Sequence, residues 1–544
     1  MKLLRVHVIS AATCGGLLDG LDVQLRQFVA ESEPFPPLCL IGPNGAGKSQ
    51  FLQAVAEIFQ TAAHAIVPGD ERVDANSELE FDVEYLIRPA RARSDVHVRI
   101  TRTTQEGGRR RMAIFTKTAE GWAECDIRAA ETALLLPSKV VGYTSGGNET
   151  LSLPFLLSRS GYAADVARQA LKETSDGAAI PDTRLMLVDY HTHLEVLVAN
   201  LLLGTKPQRT ALLADARVDD LHSFRCVIQL AHSAVPRTRR AVQKGAGRKG
   251  VQLTAELEEY LTRLRRCATC YNYDENTETY TFDFFVTNET RSGVAHFWES
   301  ALELYTALHK LAMLNDLAIP KTSRERFRKD VKARRFASRL PEPQDEDKVF
   351  RFERVNFVSS GTSAIVDYVS LSDGEHQLTQ LLGTFCMVSF PGVLFLLDEP
   401  ESHFNPQWRV KFVSRLLDLP TSGGVRRETS GVARQECLLT THAPFVPSDM
   451  PRERVFIFSK DSQTGKVAVR HPDIETYGTT FDTVLEECFG VRPPIAKESL
   501  AEIDGLMKSE DPEAIRKGMD RLGESVEKAF VADRLRQLVQ QGHD

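Results

Sequence analysis

The period of apolar and polar positions changes several times along the chain. Residues 1–60 carry three short apolar or alternating runs, Leu3 to Val8, Val23 to Leu25 and Leu38 to Ile41, followed by a glycine-rich loop and a helical pattern from about Lys48. The order is strand, loop, helix. Between 78 and 128 the segments LEFDVEYLI, DVHVRIT and MAIFTK alternate with period two, and Gly107-Gly108 separates two of them, which predicts antiparallel strands. After a strand-like KVVGY at 139–143, helical periodicity dominates from about 155 to 345, broken by a strand-like YTFDFFV at 280–286. Strand signals return at Phe350 to Phe357, residues 371–490 alternate strand and helix, and 491–544 is charged and helical. The predicted fold class is α/β: a head built from 1–150 and 346–490 with a β-rich flank, a mainly helical insertion at 151–345, and a helical carboxyl-terminal tail at 491–544. The sequence has no internal repeat and no sustained heptad run, which excludes a long coiled-coil arm.

Composition adds limits rather than identity. With 544 residues, 42% apolar and 26% charged, the chain can bury two or three packed units. The net charge of −7 means that any nucleic-acid contact must come from local basic patches. Leu381 to Leu397 is uncharged over 17 residues, close to the length of a membrane span. Pro391-Gly392 punctuates it, however, and predicts the end of a buried helix followed by a buried strand, with no membrane partner. The opening MKLLRVHVIS lacks the apolar core and cleavage site of a secretory signal, and nine cysteines are scattered without regular spacing. A cytoplasmic protein with reduced thiols is expected.

Gly42-Pro43-Asn44-Gly45-Ala46-Gly47-Lys48-Ser49 fits G-x-x-x-x-G-K-[ST] completely, and Gln50 continues into the helix. Glycines let backbone N–H groups turn inward around phosphate oxygens, the helix amino terminus adds its dipole, Lys48 reaches the terminal phosphates and Ser49 ligates Mg²⁺. ATP with Mg²⁺ is the implied cofactor. Val393 to Leu397 is a continuous apolar run, the mark of a buried parallel strand, and it ends in Asp398-Glu399-Pro400-Glu401. Carboxylates at the carboxyl end of a central strand lie where α/β sheets bind ligands. Asp398 is suited to hold the metal, and Glu399 to orient or deprotonate the attacking water.

Two further segments set the class. Leu371-Ser372-Asp373-Gly374-Glu375-His376-Gln377 opens a helix about twenty residues before the carboxylates, with Ser372 a good N-cap. Leu438-Leu439-Thr440-Thr441-His442-Ala443-Pro444 places a histidine at the end of another buried strand. Together with the phosphate loop these resemble, in family order, the motifs of ABC ATPases in the SMC and Rad50-like branch. The resemblance covers about 1–150 and 345–490. It implies that Ser372, Gly374 and Glu375 form a signature contacting the γ-phosphate held by a partner copy, and that His442 is the switch histidine. A homodimer or higher oligomer follows from that arrangement. The family's Q-loop glutamine has no evident counterpart, although Tyr143 to Glu149 occupies its neighbourhood.

Lys48 and Asp398 stand 350 positions apart, unlike the compact arrangement of transporter subunits. The segment after the head is too short for the Toprim nuclease of overcoming-lysogenization-defect proteins. The stretches GLLDGL at 16–21, LLPSKVVGYTSGGNETLSLPF at 135–155, DEPESHFNP at 398–406 and TYGTTFDTVLEECFG at 476–490 resemble the PtuA family, the ATPase subunits of Septu-type and some retron-associated anti-phage systems. That resemblance implies a defence ATPase acting with a separate HNH nuclease. The alternative is a repair or maintenance ATPase that clamps DNA without a partner nuclease, and a slowly hydrolysing scaffold is a third reading.

Other features are less specific. Cys267 and Cys270 have zinc-knuckle spacing but no second pair. Asp189, His191 and His193 sit in an amphipathic helical context that favours structural histidines. The basic groups at 237–249 (Arg237, Arg239, Arg240, Lys244, Arg248, Lys249) and 321–335 (Lys321, Arg324, Arg326, Arg328, Lys329, Lys332, Arg334, Arg335) fit either a solvated face or a DNA- or RNA-backbone surface.

Overall fold

The apolar runs around the phosphate loop become neighbouring strands of one sheet. In the computed structural model its order is Val467–Arg470, Val455–Lys460, Pro37–Ile41, Glu436–Thr441, Val393–Asp398, Lys139–Thr144 and Leu185–Val188. The strands are parallel except for the outer hairpin of Val455–Lys460 with Val467–Arg470. Pro37–Ile41, Glu436–Thr441 and Val393–Asp398 are buried at every position, as expected of strands covered on both faces. The register pairs Asp398 with Thr440 on one side and with Thr144 on the other, so the ends of three strands meet at the carboxylates.

The period-two segments form a six-stranded antiparallel sheet in the order Leu21–Gln24, Lys2–Ser10, Glu80–Ile87, Val96–Thr104, Arg110–Thr118, Gly121–Glu124. Its inward residues, among them Val6, Val8, Phe81, Val83 and Ile100, share one core with Leu38, Leu394, Leu396 and Leu438 of the parallel sheet. The helix Lys48–Ile66 supplies Phe51, Leu52, Val55 and Phe59 to that core, and fifteen of its nineteen residues are buried. A helix so largely covered also buries polar side chains, and Gln53 and Glu57 among them are paired: Gln53 donates to Glu57 at 2.9 Å, and Asn76 donates to Glu57 at 2.8 Å. The phosphate-loop helix is therefore held from both sides.

The segment 151–345 combines helices, among them His193–Leu203, Ala255–Cys267 and Ala301–Ala312, with strands. Leu185–Val188 joins the parallel sheet. Val218–Gln229, Cys270–Asp274 and Thr279–Phe285 form a third, antiparallel sheet with Phe350–Ser359 and Ile365–Asp367. Val218–Gln229 falls within a stretch read from sequence as helical. Its pairing shifts register three times, which breaks the alternation that betrays a strand. The uncharged stretch Leu381 to Leu397 divides as expected, into the end of the helix Asp373–Met387 and the strand Val393–Asp398. Among the described residues no helix is long and apolar enough to cross a membrane.

The structure describes residues 1–11, 16–26, 35, 37–67, 69–72, 76–90, 92–145, 149–169, 179–189, 192–231, 250–332, 343–421, 424–428 and 434–541. They fall into two compact units, Met1–Tyr477 and Gly478–Asp544. Residues 478–490, grouped with the head on sequence, thus belong to the second unit. There the helix Phe481–Phe489 ends at Gly490 with φ 68°. The helices Lys497–Lys508, Pro512–Met519 and Val526–Gln541 pack Ile503, Ile515, Val531 and Leu535 into a small core of their own.

Candidate nucleotide-binding site

Three glycines shape the loop. Gly42, Gly45 and Gly47 have φ of 140°, 76° and 90°, a region that side chains rarely allow. At Gly42 an added Cβ would lie 2.1 Å from the Phe458 carbonyl oxygen, and at Gly47 it would lie 2.8 Å from Val467 Cγ2. Around Gly45 the corresponding space is open, with nothing within 4 Å. Pro43, Asn44 and Gly45 are exposed, whereas Ala46, Gly47 and Lys48 are buried, so the loop closes inward beneath an accessible rim. Gly47 caps the helix without a side-chain acceptor, which leaves the first-turn N–H groups to an anion. Gln50 lies half-buried in that turn.

Lys48 folds over the loop. Its Nζ donates to the carbonyls of Gly42 at 2.8 Å and Pro43 at 3.0 Å. Burial pulls its pKa down from 10.5 to about 8, against the opposing pull of Glu399 and Asp398. ATP affinity should therefore fall as pH rises through about 8 and the free protein loses the Lys48 charge, by up to about tenfold per unit. Bound phosphate holds the proton more tightly, so the fall continues until the complex itself deprotonates. Equilibrium binding between pH 7 and 9.5 checks this, and a Lys48→Arg variant that keeps its charge should show a flatter profile.

Ser49 and Asp398 meet at the other side of the loop. Ser49 Oγ donates to Asp398 Oδ1 at 2.9 Å, and Thr440 Oγ1 donates to the same oxygen at 2.6 Å. Burial raises the Asp398 pKa above the usual carboxylate range, while these two hydroxyl bonds pull it back. A hydroxyl and a carboxylate 349 positions apart in the chain, brought together here, form a hard-oxygen pair of the kind Mg²⁺ prefers. With the open glycine cradle beside it, the donor set fits a magnesium-bound triphosphate.

Glu399 follows with φ 47°, a left-handed conformation that costs a residue with a side chain about 1–3 kcal/mol and recurs at functional sites. Its N–H donates to Thr440 Oγ1 at 3.0 Å, so Thr440 fixes both carboxylate-bearing residues. His442 Nε2 stands 3.2 Å from Glu399 Oε1, and this contact, ahead of the pull of Lys48, holds the Glu399 carboxyl below its ordinary pKa. Both side chains remain partly exposed, at 31% and 41%, which leaves room for a water beside an ionised carboxylate.

The structure thus brings together the phosphate loop, Asp398, Glu399 and His442. Ser372, Gly374 and Glu375 form a separate group. Ser372 N-caps the helix Asp373–Met387 in a capping box in which its own N–H donates to Glu375 Oε2 at 2.7 Å. An added Cβ at Gly374 would lie 2.9 Å from the His403 carbonyl oxygen, so this glycine permits the helix Asp373–Met387 to pack on the segment that follows the carboxylates. Sequence reasoning missed Arg217, whose Nε donates to Glu375 Oε1 at 3.0 Å and which is otherwise solvent-exposed. It also missed Thr440 and Thr441; two threonines at the end of a buried strand were the available signal. Thr144 pairs with Asp398, and Gln377 Nε2 donates to Ser145 O at 2.6 Å. Residues 146–148 lie outside the described residues.

Residues 288–449 match the family described as "AAA domain, putative AbiEii toxin, Type IV TA system". The chain carries a P-loop ATPase domain of the ABC/AAA type. The match takes in Ser372, Asp398, Glu399 and His442 but not the phosphate loop, which the fold adds through the pairing of Glu436–Thr441 with Pro37–Ile41. No curated protein matches the chain.

The remaining candidates separate. Cys267 Sγ donates to Gly293 O, and Cys270 Sγ to Asp283 Oδ2. Among the described residues no three His, Cys, Asp or Glu side chains group as a metal site. Asp189 Oδ1 accepts the Thr192 N–H at 3.2 Å, and His193 stacks on Tyr368 at 5.0 Å; His191 lies outside the described residues. The basic group at 237–249 lies outside them entirely. In the second group Lys321–Lys332 is a helix that exposes Lys321, Arg326 and Lys329 and buries Phe327, while Arg334 and Arg335 are outside the described residues.

Proposed function

We propose that this chain binds ATP with Mg²⁺ on the Gly42–Ser49 loop and hydrolyses it, with Asp398 and Ser49 as metal ligands and Glu399 as the base. The observation that carries the reading is the shared anchoring of Asp398 and Glu399 by Thr440, opposite Lys48 and Ser49. Bound Mg²⁺ would neutralise charge on the terminal phosphates. Lys48 would then exchange its loop carbonyls for phosphate oxygens, Glu399 would accept a proton from water, and His442 would steady the carboxylate. Phosphate release from Mg-ATP, with and without metal, tests the reading.

A composite site with a second copy extends it. Ser372 is exposed at the head of its helix, and Ile365 and Val369, seven and three positions before it in the chain, are 57% and 79% exposed, large apolar side chains of the sort dimer contacts bury. Ser372→Arg should leave ATP binding intact and abolish ATP-dependent association, twice over in an isologous dimer. Sizing in ATP checks it; unchanged association would contradict the composite site.

We further propose that the chain serves in an anti-phage defence complex as sensor or regulatory subunit beside a separate HNH nuclease, with the exposed cations of Lys321–Lys332 contacting DNA or RNA. The support is the resemblance of four stretches to the Septu-type subunits, together with a matched family whose description names a toxin system. Co-purification with the HNH protein encoded beside this gene, and phage plating with each gene deleted, test the partner. Full protection by this chain alone would favour the DNA-clamping alternative.

A further inference from the structure

Glu401 stands just beyond the carboxylate pair and takes no part in the chemistry described so far. It is 2% exposed, an unusual place for a carboxyl group. One oxygen, Oε1, accepts the hydroxyl of Thr441. That same hydroxyl oxygen accepts the Ala443 N–H at 2.9 Å. Thr441 thus spans Glu401 and the first backbone N–H after His442. The backbone carbonyl of Glu401 is held as well, by Arg409 Nε at 3.2 Å and by the Phe404 N–H at 3.0 Å, so the carboxyl hangs from a fixed point. Its other oxygen, Oε2, is buried without a hydrogen-bond partner among the described residues, as is the hydroxyl of Tyr143 on the neighbouring strand.

A buried acid with a half-met hydrogen-bonding capacity is costly to keep and calls for a purpose. Packing alone would be served by an apolar side chain. We infer that Glu401 is a positioning residue of the hydrolytic site: through Thr441 and the Ala443 N–H it fixes the turn that carries His442, and through His442 it sets the orientation of Glu399. Burial pushes its carboxyl up to about 7, with Thr441, Arg409 and Glu399 the polar and charged groups that face it. A glutamine keeps an oxygen that can accept the Thr441 hydroxyl at the same place, and is the conservative stand-in. Alanine is not.

This inference rests on the ATPase reading, and the test separates the two. Turnover and ATP affinity are measured for wild type, Lys48→Ala, Glu401→Ala, Glu401→Gln, Thr441→Val and the double variant Glu401→Ala with Thr441→Val. Wild-type turnover that Lys48→Ala abolishes establishes the ATPase. Glu401→Ala should then lower kcat roughly tenfold to a hundredfold with ATP affinity within about twofold of wild type, and Glu401→Gln should restore most of the loss. Thr441→Val should reproduce the loss and the double variant should add nothing, because both act through one hydrogen-bonded chain. Amide hydrogen exchange across residues 441–446 reads the turn without any turnover: it should quicken in Glu401→Ala and stay at the wild-type rate in Glu401→Gln. Unchanged exchange in Glu401→Ala, additive losses in the double variant, or a parallel loss of ATP affinity would each overturn the assignment.

Discussion

Glu399→Gln is expected to stop phosphate release while leaving ATP bound. The substitution keeps the size and one acceptor of the side chain, so Thr440 can still anchor its backbone at 3.0 Å and the left-handed turn at φ 47° is undisturbed. What it removes is the proton-accepting charge, which His442 and Lys48 otherwise stabilise. General-base catalysis contributes roughly 10²–10⁴-fold, and kcat should fall by that factor with ATP affinity nearly unchanged. The bound state should also persist, so any ATP-dependent dimer becomes easier to isolate. Rapid-quench turnover beside equilibrium binding gives both numbers; an equal loss of binding and turnover would show that Glu399 holds the nucleotide instead of activating water.

Lys48→Ala should act on the opposite quantity. Lys48 is 4% exposed, and its ammonium rests on two loop carbonyls, poised to meet phosphate. Truncating one partner of a buried charged contact costs about 2–5 kcal/mol, or roughly thirtyfold to several thousandfold in Kd. The fold should tolerate the change, because burial already works against the Lys48 charge and its removal lifts that penalty. Calorimetric titration with ATP, read beside the melting temperature, separates lost affinity from lost structure. Retained submicromolar binding in a folded Lys48→Ala protein would remove the phosphate loop from the site.

The phosphate loop, the carboxylate pair and His442 were legible because each is written in consecutive residues: a glycine spacing, an apolar run ending in acids, a strand ending in histidine. Thr440 was not legible as a partner of Asp398, since its role exists only in the register that sets the two residues side by side. Arg217 was out of reach for a similar reason, joining Glu375 across 158 residues. The strand Val218–Gln229 hid behind its own irregular pairing, and the grouping of residues 478–490 with the tail depends on which contacts the helix Phe481–Phe489 makes rather than on its composition. Local chemistry is carried by sequence, whereas the hydroxyl and guanidinium partners that position it are carried by topology.

The most direct test of the account is the identity of the nucleotide that the chain retains. Wild type and Glu399→Gln are incubated with Mg-ATP, separated rapidly from free nucleotide, denatured and assayed for ATP and ADP. Glu399→Gln should retain ATP, wild type should retain ADP or have released its product, and Lys48→Ala should retain neither. Retention of nothing by the wild-type and Glu399→Gln proteins at millimolar Mg-ATP, or conversion to ADP by Glu399→Gln at the wild-type rate, would contradict it.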